Sequence, residues 1–459
     1  MTVHYQDAAV TLHHGKALDV LRTLPDCSVD SVVTDPPYGI AFMGKQWDQP
    51  GEFGSERGNG TPGVHRRGAD RPDEKIGDTG AMDAGTYDLS PSAMKNFQLW
   101  CEAWATECLR VLKPGGYLVS FGGSRTWHRL ATGVEDSGFE IRDSIAWLYG
   151  SGFPKSRDVS KAIDKAAGVD RPVIGTTKAG TSSLSRVSRV EQGYRDSLTD
   201  VTPEDLAITA PVTDAAREWN GWGTALKPSF EPIVVGRKPF TGSVAVNVLT
   251  YGTGAINVDA CRIEGRERVD YGLSASTRTQ GATYGAPSAA ADFDASKGRW
   301  PTNVLLDDSQ AAVLDEEAGP RRVGCTPANR RGIGFTESGH NSGTQGVKIV
   351  HGGGGASRFF PTFHYEAKAP TSERPIVDGV QHPTVKPLAL MRWLVRLVTP
   401  PNGVVLEPFA GSGTTAEACV HEHMRCIAIE REAEYLPLFV ARLSKPIEVG
   451  FDFGGAACG

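Results

Sequence analysis

This 459-residue chain has no membrane span, no disulfide framework and no cysteine-based metal box that can be read from its residues. No apolar run approaches the roughly 20 residues that a transmembrane helix needs. The opening "MTVHYQDAAV" has no basic stretch followed by an apolar core. A protein that stays in the cytoplasm, with no membrane partner, is therefore expected. Cysteine is scarce and scattered, at 27, 101, 108, 261, 325, 419, 426 and 458 with no CxxC pair, which suits reduced, mostly buried thiols. His421 and His423 have no second pair of ligating neighbours, so they are expected at the surface of a helix end and no metal site is expected. Excess positive charge is missing too: the net charge is −6, which argues against an all-over basic nucleic-acid binder. Local patches survive such an average. Arg321 to Arg374 holds eight basic residues against three acidic ones, and Ser151 to Asp200 holds nine against six. Both stretches lack apolar periodicity, and a solvated loop accounts for either one alone.

What is present is ordinary globular composition, 39% hydrophobic and 22% charged, organised in three blocks. In residues 1–150, strand-like "AVTLHHG" and "SVDSVVT" alternate with helix-like "KALDVLRTL" and with a run in which Phe97, Trp100, Trp104, Cys108 and Val111 recur at helical spacing. "KPGG" closes that helix; "YLVSFGG" and the stretch from Phe139 to Leu148 follow as strands. A Gly- and Arg-rich insertion interrupts this block at about 49–88. Residues 151–374 lose the rhythm, keeping only isolated strands such as Glu231 to Pro239 and Thr302 to Asp307. Residues 375–445 resume it, and 446–459 read as a tail. The expectation is an α/β fold with a doubly wound, mostly parallel sheet, split between the two ends of the chain around a large irregular insertion.

Two loops carry candidate chemistry. "VVLEPFAGSGTT" is a strand that runs at once into a glycine turn opening a helix; Gly411 and Gly413 let a ligand approach the backbone, and the helix start offers free N–H groups. The spacing is neither the dinucleotide GxGxxG nor a phosphate-binding loop with lysine. Glu430, nineteen residues after Gly411, ends the next strand, where nucleoside-binding α/β folds place a carboxylate for ribose hydroxyls. The second loop is "VVTDPPYG". A proline-rich turn is its simplest reading in isolation, but Asp35 stands at the carboxyl end of a strand expected to be central, where open α/β sheets bind ligands. If that strand and the Glu407 strand flank the switch point, Asp35 and Glu407 share one cleft.

"DPPYG", "HPTVKP" and "EPFAGSGTT" together make the chain resemble S-adenosylmethionine-dependent DNA amino-methyltransferases, N6-adenine or N4-cytosine, whose catalytic motif precedes the cofactor motif; many are bacteriophage or restriction-modification enzymes. The resemblance covers the first 150 residues, Lys227 to Pro239, and about Ser357 to Leu443. It implies a class I, Rossmann-like methyltransferase fold with the 151–374 region as the target-recognition insertion and a catalytic-domain strand returning near 231–239. It also implies S-adenosylmethionine as cofactor and double-stranded DNA as partner, and is compatible with a homodimer and a cognate restriction endonuclease. Catalysis would fall to Asp35, Pro36, Pro37 and Tyr38. Glu407, Phe409, Gly411, Gly413 and Thr414 would hold the cofactor, with Glu430 on its ribose and Thr384 and Lys386 at its methionine end. The chain departs from the family at Lys16, where an acidic residue commonly contacts the cofactor adenine.

The resemblance implies a mechanism. An exocyclic amine is a poor nucleophile, and two acceptors aimed at its N–H bonds, the Asp35 carboxylate and a carbonyl at Pro36, favour tetrahedral geometry and stabilise developing positive charge. Tyr38 would stack on the base, which must be flipped out of the duplex. Aspartate at position 35 is more frequent in adenine enzymes of this group, so N6 of adenine is preferred, with N4 of cytosine open. A catalytically silent DNA-binding protein and an RNA or protein-amide methyltransferase are the other readings; the intact "DPPY" speaks against the first and the Arg-rich insertion against the second.

Overall fold

The computed structural model describes residues 2–40, 46–48, 53, 89–150, 156–176, 207–263, 298–319, 355–363 and 373–445. The expected insertion at 49–88 (Phe53 apart), the tail 446–459 and much of 151–374 lie outside these residues. Fourteen strands occur among them: β1 Thr2–Gln6, β2 Val10–His14, β3 Val29–Thr34, β4 Leu112–Phe121, β5 Glu140–Leu148, β6 Val173–Thr176, β7 Ala207–Thr209, β8 Phe230–Arg237, β9 Val304–Asp307, β10 Thr362–Phe363, β11 Ile376–Val377, β12 Val380–Gln381, β13 Val404–Glu407 and β14 Arg425–Glu430. Ten form one sheet in the order β1-β2-β14-β13-β3-β4-β8-β5-β9-β10. Only β1 and β8 run against their neighbours.

The sheet joins the two ends of the chain at its centre. Strands β13 and β3 pair in parallel, Val405 opposite Ser31 and Leu406 opposite Val32, as expected for a fold split around an insertion. All six residues of β3 are buried, because helices cover both faces of a parallel sheet. Successive residues of the central strands point to opposite cores. Val32, Leu118 and Leu406 meet Phe97, Cys101, Trp104 and Cys108 of the helix Pro91–Val111 on one face. Val33, Val119 and Val405 meet Leu390, Leu394 and Val398 of the helix Leu388–Val398 on the other. Each such apolar side chain contributes about 1.5–3 kcal/mol when fully buried. The buried polar groups of β3 are satisfied: Asp30 accepts from Lys113 Nζ at 2.6 Å and from the Val404 N–H at 2.7 Å, and Ser31 bonds Thr399 at 2.7 Å.

The middle of the chain contributes more to the sheet than its composition suggests. Besides β8, the strands β9 and β10 extend the sheet beyond β5. A separate small unit pairs β6 with β7 and carries the helices Val159–Ala166 and Asp214–Glu218. Its clasp is the buried Asp164, which accepts from the Val212 and Thr213 N–H groups and the Thr213 hydroxyl and pairs with Arg171 at 3.2 Å. Among the described residues no helix is long and apolar enough to cross a membrane and no side-chain cluster could hold a metal ion. Cys101, Cys108, Cys261, Cys419 and Cys426 are buried free thiols, and Cys27 is exposed.

Candidate active site

At the end of β13 the chain turns through Pro408 to Gly413 and enters the helix Thr414–His421. The turn needs glycine twice. Gly411 has φ +51°, and a Cβ there would meet His382 Nε2 at 2.9 Å; Gly413 has φ +85°, and a Cβ would meet Phe439 at 2.6 Å. Two glutamates hold the turn. The buried Glu407 accepts from the Thr34 and Thr415 hydroxyls and, at 3.0 Å, from the Phe409 N–H, tying the glycine loop to the strand that carries Asp35. The buried Glu430, at the end of β14, accepts from the Gly411 N–H at 2.7 Å and the Glu432 N–H at 2.6 Å. Burial pushes both carboxyls up to about 7, against the lowering effect of these hydrogen bonds.

This turn forms one wall of a cavity of about 300 Å³. Phe409, Phe53, Trp100 and Trp104 give it an aromatic floor, Glu430 and Glu432 a carboxylate rim, and Lys16 and Asp19 a charged end at the helix Ala17–Leu21. The rings pack on one another: Trp100 and Trp104 each lie 5.5 Å from Phe409, and Phe53 lies 4.8 Å from Trp100. Across the cavity Trp47 stacks on His382 at 6.4 Å, and His382 meets Tyr435 edge-on at 4.5 Å. The buried indole N–H group of Trp47, in the lining, has no hydrogen-bond partner. An apolar slot with aromatic walls and two carboxylates fits a nucleoside-bearing cofactor: the rings would take a flat base and Glu430 would accept from ribose hydroxyls.

The second half of the site begins where β3 ends. Pro37 and Pro408 both line the cavity, so the Asp-Pro-Pro-Tyr corner adjoins the glycine loop. Tyr38 is anchored by its carbonyl, which accepts from the Thr126 hydroxyl at 2.7 Å. Asp48, fully buried, accepts from the Gly39 N–H at 2.6 Å and the Ile40 N–H at 3.2 Å, pinning the loop that follows the corner. The Asp35 carboxylate takes the Tyr38 hydroxyl at 2.9 Å on one oxygen and the Lys386 ammonium at 2.9 Å on the other. Lys386 also donates to Tyr38 Oη at 3.0 Å and to Glu231 at 3.1 Å. Burial pulls the lysine down, but the charges of Asp35 and Glu231 and hydrogen bonds to both outweigh it and hold the ammonium well above its ordinary value. Burial and the same two carboxylates push the Tyr38 hydroxyl well up.

The expected residues thus divide. Phe409, Gly411 and Glu430 line the cavity, and Gly413 and Thr414 start the helix beside it. Glu407 spends its carboxylate on Thr34, Thr415 and the Phe409 N–H, as a tie between two strands. Thr384 engages the His382 ring through its backbone. Lys386, expected at the methionine end of a cofactor, pairs with Asp35 and Glu231. Sequence reasoning missed Glu231, Asp48, His382 and Trp47 as members of the site. For Glu231 a signal existed: an acid directly before proline at the start of a strand inside the region of resemblance.

A family model described as DNA methylase (N6_N4_Mtase) matches residues 29–167 and 272–441, more than half of the chain. The Type II methyltransferase M.HindIII of Haemophilus influenzae is 23% identical over 250 residues, which cover 54% of this chain and 64% of that protein. The Type II methyltransferase M.HinfI of Haemophilus influenzae is 24% identical over 147 residues, 32% of this chain and 33% of that protein. The chain therefore spans less than two thirds of the length of either relative. Among solved structures, a PvuII DNA methyltransferase described as cytosine-N4-specific aligns over 98% of this chain and 90% of its own at 13% identity and a TM-score of 0.40, a loose likeness.

Proposed function

Because this chain belongs to the DNA methylase family, we propose that it transfers a methyl group from S-adenosylmethionine to the exocyclic N6 of adenine at specific sites in duplex DNA. The observation that carries the reading is the adjacency of two motifs. The Asp35 corner and the Gly411 loop leave neighbouring parallel strands at the same sheet edge, and Pro37 and Pro408 share one cavity wall.

S-adenosylmethionine, when bound, supplies an electrophilic methyl on a sulfonium. Phe409 and its aromatic neighbours, Gly411, Gly413, Thr414 and Glu430 would hold it. The chain's own residues then act on the target amine, whose lone pair is delocalised into the base. Asp35 accepts one N–H and the Pro36 carbonyl the other, which turns the lone pair outward and stabilises the charge that builds on nitrogen. Lys386 and Tyr38 keep the Asp35 carboxylate from rotating away. The ring of Tyr38 offers a stacking face to a base flipped from the helix, at a cost of a few kcal/mol that stacking and edge hydrogen bonds offset. The insertion within residues 151–374, apart from the sheet strands β8, β9 and β10, would read DNA, with Arg and Lys on phosphates.

Adenine is preferred over cytosine because the first residue of the corner is aspartate. The test is expression in a host free of DNA methylation, followed by modification-sensitive sequencing. N6-methyladenine at one short motif, lost in Asp35→Ala, is expected. N4-methylcytosine at such a motif would overturn the base assignment, and unmodified DNA in cells that make soluble protein would overturn the enzyme reading.

A further inference from the structure

The pairing of Asp35 with Lys386 poses a charge problem. A carboxylate matched one-to-one by an ammonium offers no net charge to the amine it must receive. An uncompensated ammonium would also oppose a cationic methyl donor and the positive charge growing on the attacked nitrogen. The structure brings a third charge to the same point. Glu231 Oε2 lies 3.1 Å from Lys386 Nζ and 3.4 Å from Tyr38 Oη. It stands at the start of β8, the antiparallel strand between β4 and β5, so its first residues reach the edge where the parallel strands end; Ile233 is already opposite Phe121, the last residue of β4. The groups around the ammonium come from three elements: Asp35 and Tyr38 after β3, Glu231 on β8, and the Phe121 ring of β4, whose centroid is 4.8 Å from Nζ. The Tyr149 hydroxyl after β5 helps to push the Tyr38 hydroxyl up, and Glu407 at the end of β13 interacts with Asp35. All three charged side chains are shielded, 22% exposed for each carboxylate and 12% for the lysine.

We propose that Glu231 is a positioning residue for methyl transfer: by sharing the Lys386 ammonium with Asp35 it gives the cluster one net negative charge and leaves Asp35 free to accept from the target amine. This rests on the methyltransferase reading of the site. Glu231 acts through Lys386 and touches neither base nor methyl group.

The test uses the purified full chain with Glu231→Gln, Glu231→Asp and Lys386→Met, the last also combined with Glu231→Gln. The first readout needs neither cofactor nor DNA. Acetylation of Lys386 by acetic anhydride, followed by mass spectrometry across pH, reports its deprotonation. In the wild-type protein the midpoint should lie above that of exposed lysines such as Lys161, and Glu231→Gln should raise the rate near pH 9 about tenfold, one pK unit for one lost partner charge. The second readout is single-turnover transfer to duplex DNA, with cofactor affinity measured alongside. Glu231→Gln is expected to slow transfer by about 10- to 100-fold with affinity within about twofold, Glu231→Asp to restore most of the rate, and Glu231→Gln to cost nothing further once Lys386 is methionine. A Lys386 midpoint at or below that of exposed lysines would overturn the proposal, whether or not the glutamine variant folds. So would a wild-type transfer rate in Glu231→Gln, or an Asp variant as slow as the Gln variant. If the wild-type protein does not methylate DNA, the functional reading fails, while acetylation still decides whether Glu231 holds Lys386.

Discussion

Four carboxylates stand at one edge of the same sheet, and the two pairs are treated in opposite ways. Glu407 and Glu430, at the ends of β13 and β14, are surrounded by hydroxyls and backbone N–H groups, and burial lifts both to about 7. Asp35 and Glu231, after β3 and at the start of β8, share the ammonium of Lys386. Dipoles around the first pair fix the shape of a loop and leave the charge free to change near neutral pH; the second pair is bridged by a full cation. A glycine loop that must admit and release a ligand suits the first arrangement. On the proposed methyl-transfer reading, a site that stabilises a growing positive charge suits the second.

Variants on the two sides should therefore fail differently. The largest effect is expected for Asp35→Ala, which on the proposed mechanism removes the acceptor for the target amine. Single-turnover transfer should fall by about 10²–10³-fold, while cofactor titration by calorimetry stays within about twofold of wild type. Gly413→Ala, on the other side, forces a side chain into φ +85° and against Phe439. Denaturant unfolding should show a loss of about 1–3 kcal/mol, with cofactor affinity falling before the chemical step does.

Glu430→Gln sharpens the comparison. The ionised carboxylate accepts best from ribose hydroxyls, so affinity in the wild-type protein should rise as pH climbs through about 7, by about tenfold between pH 6 and 8. The variant should bind with the weaker affinity at both pH values. The smallest effect falls on Glu407. Its folded value, about 7, lies above the ordinary 4.5, so the folded state binds a proton more tightly than the unfolded chain. The stability this contributes is complete below about 4.5 and is lost as pH rises through about 7. Glu407→Gln should flatten that part of the pH–stability curve, a difference on the order of 1–3 kcal/mol between pH 4.5 and 7.5 measured by urea unfolding.

Much of this arrangement is legible in the residues themselves. "VVTDPPYG" and "VVLEPFAGSGTT" each announce a buried strand running into a stiff or glycine-rich turn, and the expectation that their strands meet at the centre is what β3 and β13 do. Glu430, singled out by its spacing from Gly411, accepts from the Gly411 N–H. Other parts depend on pairing between distant strands, which local pattern does not encode. Glu231 reaches Lys386 only because β8 runs antiparallel between β4 and β5. The partners of Lys386 and the strand-tying role of Glu407 follow from contacts spanning more than 150 residues of sequence. Asp48 is closer in sequence, but its carboxylate accepting from the Gly39 and Ile40 N–H groups is a contact that no local pattern announces. Strand β9 falls within the expected Thr302 to Asp307, whereas β10, two residues long, is too short for periodicity to separate it from loop.

One measurement bears most directly on the central claim, that the Asp35 corner and the Gly411 loop form a single methyl-transfer site. Purified protein is mixed with S-adenosylmethionine carrying a labelled methyl group and unmethylated duplex DNA containing the motif found by sequencing, and the product bases are separated. Label on N6 of adenine is expected with the wild-type chain, with none above background in Asp35→Ala although that variant still binds the cofactor. Equal labelling by both proteins, or no labelling of DNA by a wild-type chain that binds the cofactor, would contradict it.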